Sequence, residues 1–274
     1  MPPSSKRPPR AKKSLGQNFL VDGRVRQRIV AAAELTPDDL VVEIGPGRGF
    51  LTAVLAEQTG RLVAVEVDDV MAASLSETYA GNPNVAVLHA DAREVEIDAL
   101  VPAGKPYKLV ANLPYYAATP IIRRFLESEH RPKLMVVMVQ REVAQEMAAE
   151  PGQMRLLSVA TQMYGRPRIV TQVPPTAFRP KPKVTSAVVR IDTHGQPAVQ
   201  VDSVARFFDL VRAGFSAPRK QLRNSLSHGL DRPAVSAQAL LEGSGIDPTR
   251  RAQTLSMAEW GALYEVFSRA GDTR

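Results

Sequence analysis

The chain has 274 residues, 44% of them hydrophobic and none of them cysteine, which is enough for one large core and a smaller one and excludes disulfides and thiolate metal sites. Its 35 Lys and Arg against 28 Asp and Glu give a formal net charge of +7, a balance that draws polyanions. The longest apolar runs are strand-length, far short of the roughly 20 residues of a membrane span; with no apolar N-terminal segment and four scattered histidines (His89, His130, His194 and His228), the expectation is a cytoplasmic, metal-free protein acting as a monomer away from membranes.

Residues 1–13 carry five Lys or Arg, several prolines and no acid, and read as a disordered basic arm. Asp22 is placed to cap a helix running to about Leu35, with Val25, Ile29, Val30 and Ala33 on one face. Continuous apolar runs then predict strands at Leu40–Ile44, Leu62–Glu66, Val85–His89, Tyr107–Ala111 and Leu134–Val139. Helices are predicted between them at Phe50–Gln58, Asp69–Tyr79, Thr119–Glu127 (Thr119 as cap, Pro120 in the first turn) and Glu142–Ala149. A helix over Arg155–Tyr164 follows, then strands at Ile169–Val173 and Val184–Ile191 joined by the Pro-rich run 174–182, which makes an antiparallel edge. Beyond a linker at 193–199 the pattern is helical: Val204–Phe215, Pro218–Ser227, Val235–Glu242 and Met257–Ala270. The fold class is therefore α/β, a doubly wound Rossmann-like sheet over 14–193 with an antiparallel edge strand, followed by a small all-helical domain over 200–274.

The chemistry gathers at the carboxyl ends of the predicted strands. Gly45, Gly47 and Gly49 form a Gly-x-Gly-x-Gly loop whose next position is Phe50, where a dinucleotide-binding loop wants its third glycine one residue on, so NAD and FAD are disfavoured. Glu66 ends the second of these strands, where a carboxylate accepts hydrogen bonds from ribose hydroxyls, and Asp91 follows the third, in reach of an adenine amine. Asn112-Leu113-Pro114-Tyr115 follows the fourth. The carboxamide oxygen of Asn112 and the carbonyl of Leu113 can accept both hydrogens of an exocyclic amine and leave its lone pair facing an electrophile. Pro114 biases Leu113 toward extended backbone, and Tyr115 offers a ring for a flat base. Together with the glycine loop these residues point to methyl transfer from S-adenosylmethionine to an adenine. A second basic stretch, residues 165–190, holds six cations and no acid (Arg166, Arg168, Arg179, Lys181, Lys183 and Arg190), as polyphosphate recognition requires.

These segments resemble the ribosomal RNA adenine N6-dimethyltransferases, and among them the small-subunit (16S) branch. The likeness starts at Leu15-Gly16-Gln17-Asn18-Phe19-Leu20, passes through the glycine loop, Glu66, Asp91-Ala92 and Asn112–Tyr115, and continues in Phe178-Arg179-Pro180-Lys181-Pro182-Lys183-Val184. Two further segments extend it to the C-terminal part, residues 219–226 and Arg251-Ala252-Gln253-Thr254-Leu255. The resemblance implies that Asn18 and Leu20 close over the methionine end of the cofactor, that Gly45 and Gly47 line it, and that Glu66, Asp91 and Asn112 contact it or the target. It also implies that Phe178 stacks on a flipped adenine opposite Tyr115, whereas its proline neighbours alone suggest a rigid exposed loop.

The implied activity is N6,N6-dimethylation of two adjacent adenosines in a hairpin near the 3′ end of 16S ribosomal RNA, within the small subunit or its precursor, with the helical domain binding RNA. Two alternatives stand beside it: a large-subunit adenine methyltransferase of the resistance type, and a non-catalytic ribosome-assembly factor on the same fold. Tyr116-Ala117-Ala118 and the cations Arg179 and Lys181 depart from the commoner family pattern.

Overall fold

The computed structural model describes Lys12 and residues 15–271. The expected basic arm, apart from Lys12, lies outside the described residues. Two compact units divide the chain, Met1–Ala144 with Pro167–Thr193 and Gln145–Arg166 with His194–Arg274.

The first unit is built on a seven-stranded sheet. Its strands are β2 (Leu40–Ile44), β3 (Arg61–Glu66), β4 (Val85–His89), β5 (Lys108–Asn112), β6 (Leu134–Gln140), β7 (Gly165–Val173) and β9 (Ser186–Thr193), in the order β4-β3-β2-β5-β6-β9-β7. The four pairings among β2 to β6 are parallel, and β9 lies antiparallel to β6 from Leu134↔Asp192 to Gln140↔Ser186. The antiparallel strand thus sits inside the sheet and β7 is outermost, where Pro167 interrupts no inner ladder. A second, two-stranded sheet joins β1 (Phe19–Leu20) to β8 (Phe178–Arg179), pairing Leu20 with Phe178. Neither half was legible as a strand, because each is two residues long and exists only through the other.

Helices α1 (Gly23–Ala33), α2 (Thr52–Gln58), α3 (Asp69–Tyr79), α4 (Ile97–Leu100), α5 (Ala118–Glu127) and α6 (Arg141–Met147) lie between the strands. Asp22 caps α1 as expected, accepting from Arg24 N and Val25 N, and Asp68 caps α3 in the same way. Thr119 is not the cap of α5. Ala117 takes that position, because a turn from Ala117 N to Pro114 O (3.0 Å) carries the chain straight from the Asn-Leu-Pro-Tyr segment into the helix. Ile29, Ala33, Val41, Leu55, Val110 and Val136, each at most 1% exposed, form the centre of the core.

Beneath the strands' amino ends Asp39, 5% exposed, is clamped by Lys108 Nζ (2.7 Å) and Lys133 Nζ (2.8 Å). Burial pushes this carboxyl up, yet the two ammonium groups and Thr36 outweigh it and bring it down to about 2.

The second unit holds α7 (Leu156–Gln162), α8 (Val204–Phe215), α9 (Leu222–Gly229), α10 (Ala234–Gly243) and α11 (Met257–Gly271). Its core centres on Trp260, fully buried, against which Gly214 packs so closely that a Cβ there would lie 2.5 Å from the indole. Residues 145–166 cluster with these helices, although Gly165 and Arg166 open β7, whereas the expected domain ran over 14–193. Gly152 N and Met154 N both donate to Gln253 O, at 2.8 and 3.2 Å, and His194 N donates to Tyr164 O. The predicted helix from Pro218 also starts late. Residues 216–220 are turns, and Leu222 N donates to Arg250 O (2.6 Å), so Arg219 and Lys220 are exposed ahead of α9. Among the described residues, no helix is long and apolar enough to cross a membrane.

Candidate active site

At the carboxyl ends of β2, β3, β4 and β5, where an open α/β sheet receives its ligands, the first unit opens into a cavity of about 280 Å³. The residues singled out in the sequence converge on it: Asn18 and Leu20 from β1 and its approach, Gly45 and Gly47 after β2, Glu66 at the end of β3, Asp91 after β4, Asn112 at the end of β5 with Leu113 and Tyr115 beyond it, and Phe178 from β8.

The glycine loop is a cradle that side chains would fill. Gly45, Gly47 and Gly49 have φ of +69°, +57° and +77°, the left-handed region that L side chains resist, and a Cβ on Gly47 would press on the Phe19 ring at 3.0 Å. Arg48 lies over that ring, its Cζ 4.5 Å from the centroid. Glu66 fastens the loop from below. Its Oε2 accepts from Gly47 N (2.9 Å) and its Oε1 from Asp68 N (3.0 Å). Burial raises the pKa of this carboxyl, and those two N–H donors oppose the shift. Each oxygen keeps acceptor capacity toward the cavity.

Asp91 is gripped by a residue that sequence reasoning missed. Arg93 Nε donates to both carboxylate oxygens at 3.0 Å, with Arg93 N adding a bond to Oδ1 at 2.9 Å, and this pairing holds the Asp91 carboxyl below its ordinary range. The guanidinium also stands 5.9 Å from the ring of Tyr116, which is 51% exposed at the cavity wall. An arginine two residues after an acid was visible in the sequence, but nothing in the local pattern said that it would fold back.

Asn112 closes the other side. Its Nδ2 donates to Asn18 O (3.3 Å), tying the end of β5 to the segment before β1 and leaving Oδ1 as the free acceptor of the amide. Leu113 N donates to Met138 O, and the Tyr115 hydroxyl is 2.6 Å from Ser186 Oγ, which fixes the ring. Phe178 is not in an exposed loop. It is 1% exposed, because the β1–β8 pairing draws it into the core beside Leu20 while one side still borders the cavity.

Glu43 also borders the cavity, from within β2, at 1% exposure. An acid inside the apolar run Leu40–Ile44 was a signal available in the sequence and passed over.

The cavity suits S-adenosylmethionine: it offers a glycine cradle, acidic groups for a cofactor of net positive charge, and a buried carboxyl oxygen, Glu43 Oε2, without a hydrogen-bond partner among the described residues. Glycine loop, Glu66 and Asp91 would hold the cofactor, which when bound supplies an electrophilic methyl group.

The family model for ribosomal RNA adenine dimethylase matches residues 9–268. A ribosomal RNA small subunit methyltransferase A from Dehalococcoides mccartyi is 46% identical over 94% of this chain and 89% of its own length. One of that name from Pelotomaculum thermopropionicum is 45% identical over 95% of this chain and 92% of its own length. Among solved structures, the 23S rRNA methyltransferase ErmE superposes with a TM-score of 0.72 at 29% identity, covering 92% of this chain and all of that one. A dimethyladenosine transferase from Plasmodium falciparum superposes with a TM-score of 0.80 at 22% identity over 92% of this chain and 98% of that one, a likeness of fold.

Proposed function

The chain belongs to the ribosomal RNA adenine dimethylase family, and from that premise we propose that its cavity transfers methyl groups from S-adenosylmethionine to N6 of two adjacent adenosines in small-subunit ribosomal RNA. The enzyme is an S-adenosylmethionine-dependent methyltransferase. The observation that carries the site assignment is the convergence of the glycine loop and Asn112–Tyr115 on one cavity.

The protein's task is positioning, since the cofactor brings its own electrophile. An adenine amine is a poor nucleophile while its lone pair is delocalised into the ring. Oδ1 of Asn112 and the carbonyl of Leu113 accept its two hydrogens and favour the pyramidal form, with the amide held by Asn18 O. Asn is no base at neutral pH, so the proton leaves to water after transfer. The adenine must leave its stack, at a cost of a few kcal/mol, which stacking on Tyr115 and packing toward Phe178 offset.

The relatives named for the small subunit, at 42–46% identity, support that substrate over the large-subunit alternative represented by ErmE at 29%. Arg251-Ala252-Gln253-Thr254-Leu255 in the second unit supports the same choice. We assign RNA contacts to the exposed cations of both units, Arg166, Arg168, Lys181, Lys183, Arg219 and Lys220. We read the enzyme as a cytoplasmic monomer, in keeping with ribosomal subunits as its substrate. The test is labelled methyl transfer to purified small and large subunits that lack the modification. Label in the small subunit alone supports the proposal, and label confined to the large subunit rejects it.

A further inference from the structure

Glu43 has no part in the mechanism above, yet its setting is unusual. It lies in the middle of β2, between Ala64 of β3 and Val110 of β5 in the sheet register, and is 1% exposed. Among the described residues its Oε2 has no hydrogen-bond partner, and the Thr52 hydroxyl of α2 is the polar neighbour that favours its ionised form. The titratable groups that bear on it are Glu66 from β3, a like charge, and the phenol of Tyr79 from α3. No counter-ion is among them. An ionised carboxylate buried without a partner is costly, and such a group ordinarily takes up a proton instead. Glu43 nevertheless borders the cavity, so a positively charged occupant there would provide the missing counter-charge.

We propose that Glu43 exchanges a proton with solvent each time the cofactor binds and is spent, being a neutral acid in the free protein and a carboxylate beneath the cation. The inference rests on the assignment of this cavity to S-adenosylmethionine. That cofactor carries a sulfonium, an ammonium and a carboxylate, a net charge of +1, whereas the product S-adenosylhomocysteine has lost the sulfonium charge. On binding, the O–H bond of Glu43 breaks and its proton goes to solvent. Once the methyl group has left, the positive charge is gone and a proton returns to Glu43 from solvent. Burial, with Glu66 adding to it and Thr52 opposing, pushes Glu43 up to about 8, so the neutral form dominates at pH 7. Glu66 is distinguished by its two N–H donors, which favour its ionised form.

The experiment is titration calorimetry of the full chain with S-adenosylmethionine at pH 7, in two buffers of different ionisation enthalpy, repeated with S-adenosylhomocysteine and with Glu43→Gln. The wild type should release nearly one proton more per S-adenosylmethionine bound than Glu43→Gln does, and the excess should shrink with S-adenosylhomocysteine. Below pH 8 the wild-type affinity for S-adenosylmethionine should rise about tenfold per pH unit relative to that of Glu43→Gln. Equal proton counts for the two proteins, or the same excess with both ligands, overturn the proposal. Should Glu43→Gln fail to fold, infrared difference spectra of the unaltered protein carrying carboxyl-labelled glutamate decide. A neutral-carboxyl band present in the free protein and lost only with S-adenosylmethionine supports the exchange, and a band that is absent or persists refutes it. S-adenosylmethionine binding that is indifferent both to Glu66→Ala and to Asp91→Ala would overturn the site assignment instead, whatever the proton count.

Discussion

Replacing Glu66 by Ala separates two jobs that this residue performs. In the free protein it accepts Gly47 N–H and Asp68 N–H at 2.9 and 3.0 Å, at 4% exposure. Each donor stranded without an acceptor costs about 1–3 kcal/mol, and water entering from the adjoining cavity recovers part of that, so folding stability should fall by about 2–4 kcal/mol. If the carboxylate also receives the cofactor's ribose hydroxyls, a further charge-assisted bond worth about 1.5–3 kcal/mol disappears on binding, weakening S-adenosylmethionine by about 10- to 150-fold. Glu66→Gln keeps one acceptor oxygen but turns an NH2 toward the second N–H donor, and should fall between wild type and Ala in both respects. Urea denaturation reads the first effect and titration calorimetry the second. Lower stability with unchanged cofactor affinity would refute the ribose assignment and leave Glu66 as a brace for the glycine loop.

Asn112→Ala should leave affinity for cofactor and RNA within a few fold while single-turnover methyl transfer falls by orders of magnitude, because the acceptor is needed mainly as the amine pyramidalises; RNA affinity that collapses while bound substrate turns over normally would make Asn112 a binding residue. Replacing Arg219 and Lys220 together by Gln should weaken binding to the small subunit and reduce its salt slope by nearly two, with S-adenosylmethionine affinity unchanged; an unaltered slope means these exposed cations touch no phosphate. Arg223 is left out because its Nη1 donates to Gln238 Oε1. Asp39, held at about 2 by Lys108 and Lys133 against an ordinary 3.8, contributes roughly 2 kcal/mol that is present above pH 4 and lost as pH falls through 2. Asp39→Asn should flatten the stability profile over that range, and a profile as steep as that of wild type would show that other carboxylates govern acid unfolding.

The strands were legible where a run is mostly or wholly apolar, as in Leu40–Ile44 despite Glu43 and in Leu134–Val139, because strands covered on both faces need little else. What escaped depends on partners far along the chain. β1 and β8 are defined by Leu20 meeting Phe178, and that same pairing buries an aromatic whose proline neighbours suggest exposure. The start of α9 is set by Arg250 O, beyond the horizon of a local pattern. The glycines, Glu66, Asp91 and Asn112 could be picked out because each stands at a strand end, and the structure brings them to one cavity. Arg93 could not, since folding back onto Asp91 is a matter of side-chain geometry. Glu43 was readable in principle, as an acid where the fold needs an apolar residue, and such a local inconsistency is often functional.

The most direct test of the account is the identity of the modified nucleoside. Small subunits lacking the modification are incubated with the enzyme and S-adenosylmethionine, and their RNA is digested and separated by mass. The account predicts N6,N6-dimethyladenosine at two neighbouring positions near the 3′ end, absent with Asn112→Ala. A product methylated on another base or another ring atom, or dimethyladenosine formed as well by Asn112→Ala as by wild type, would contradict it.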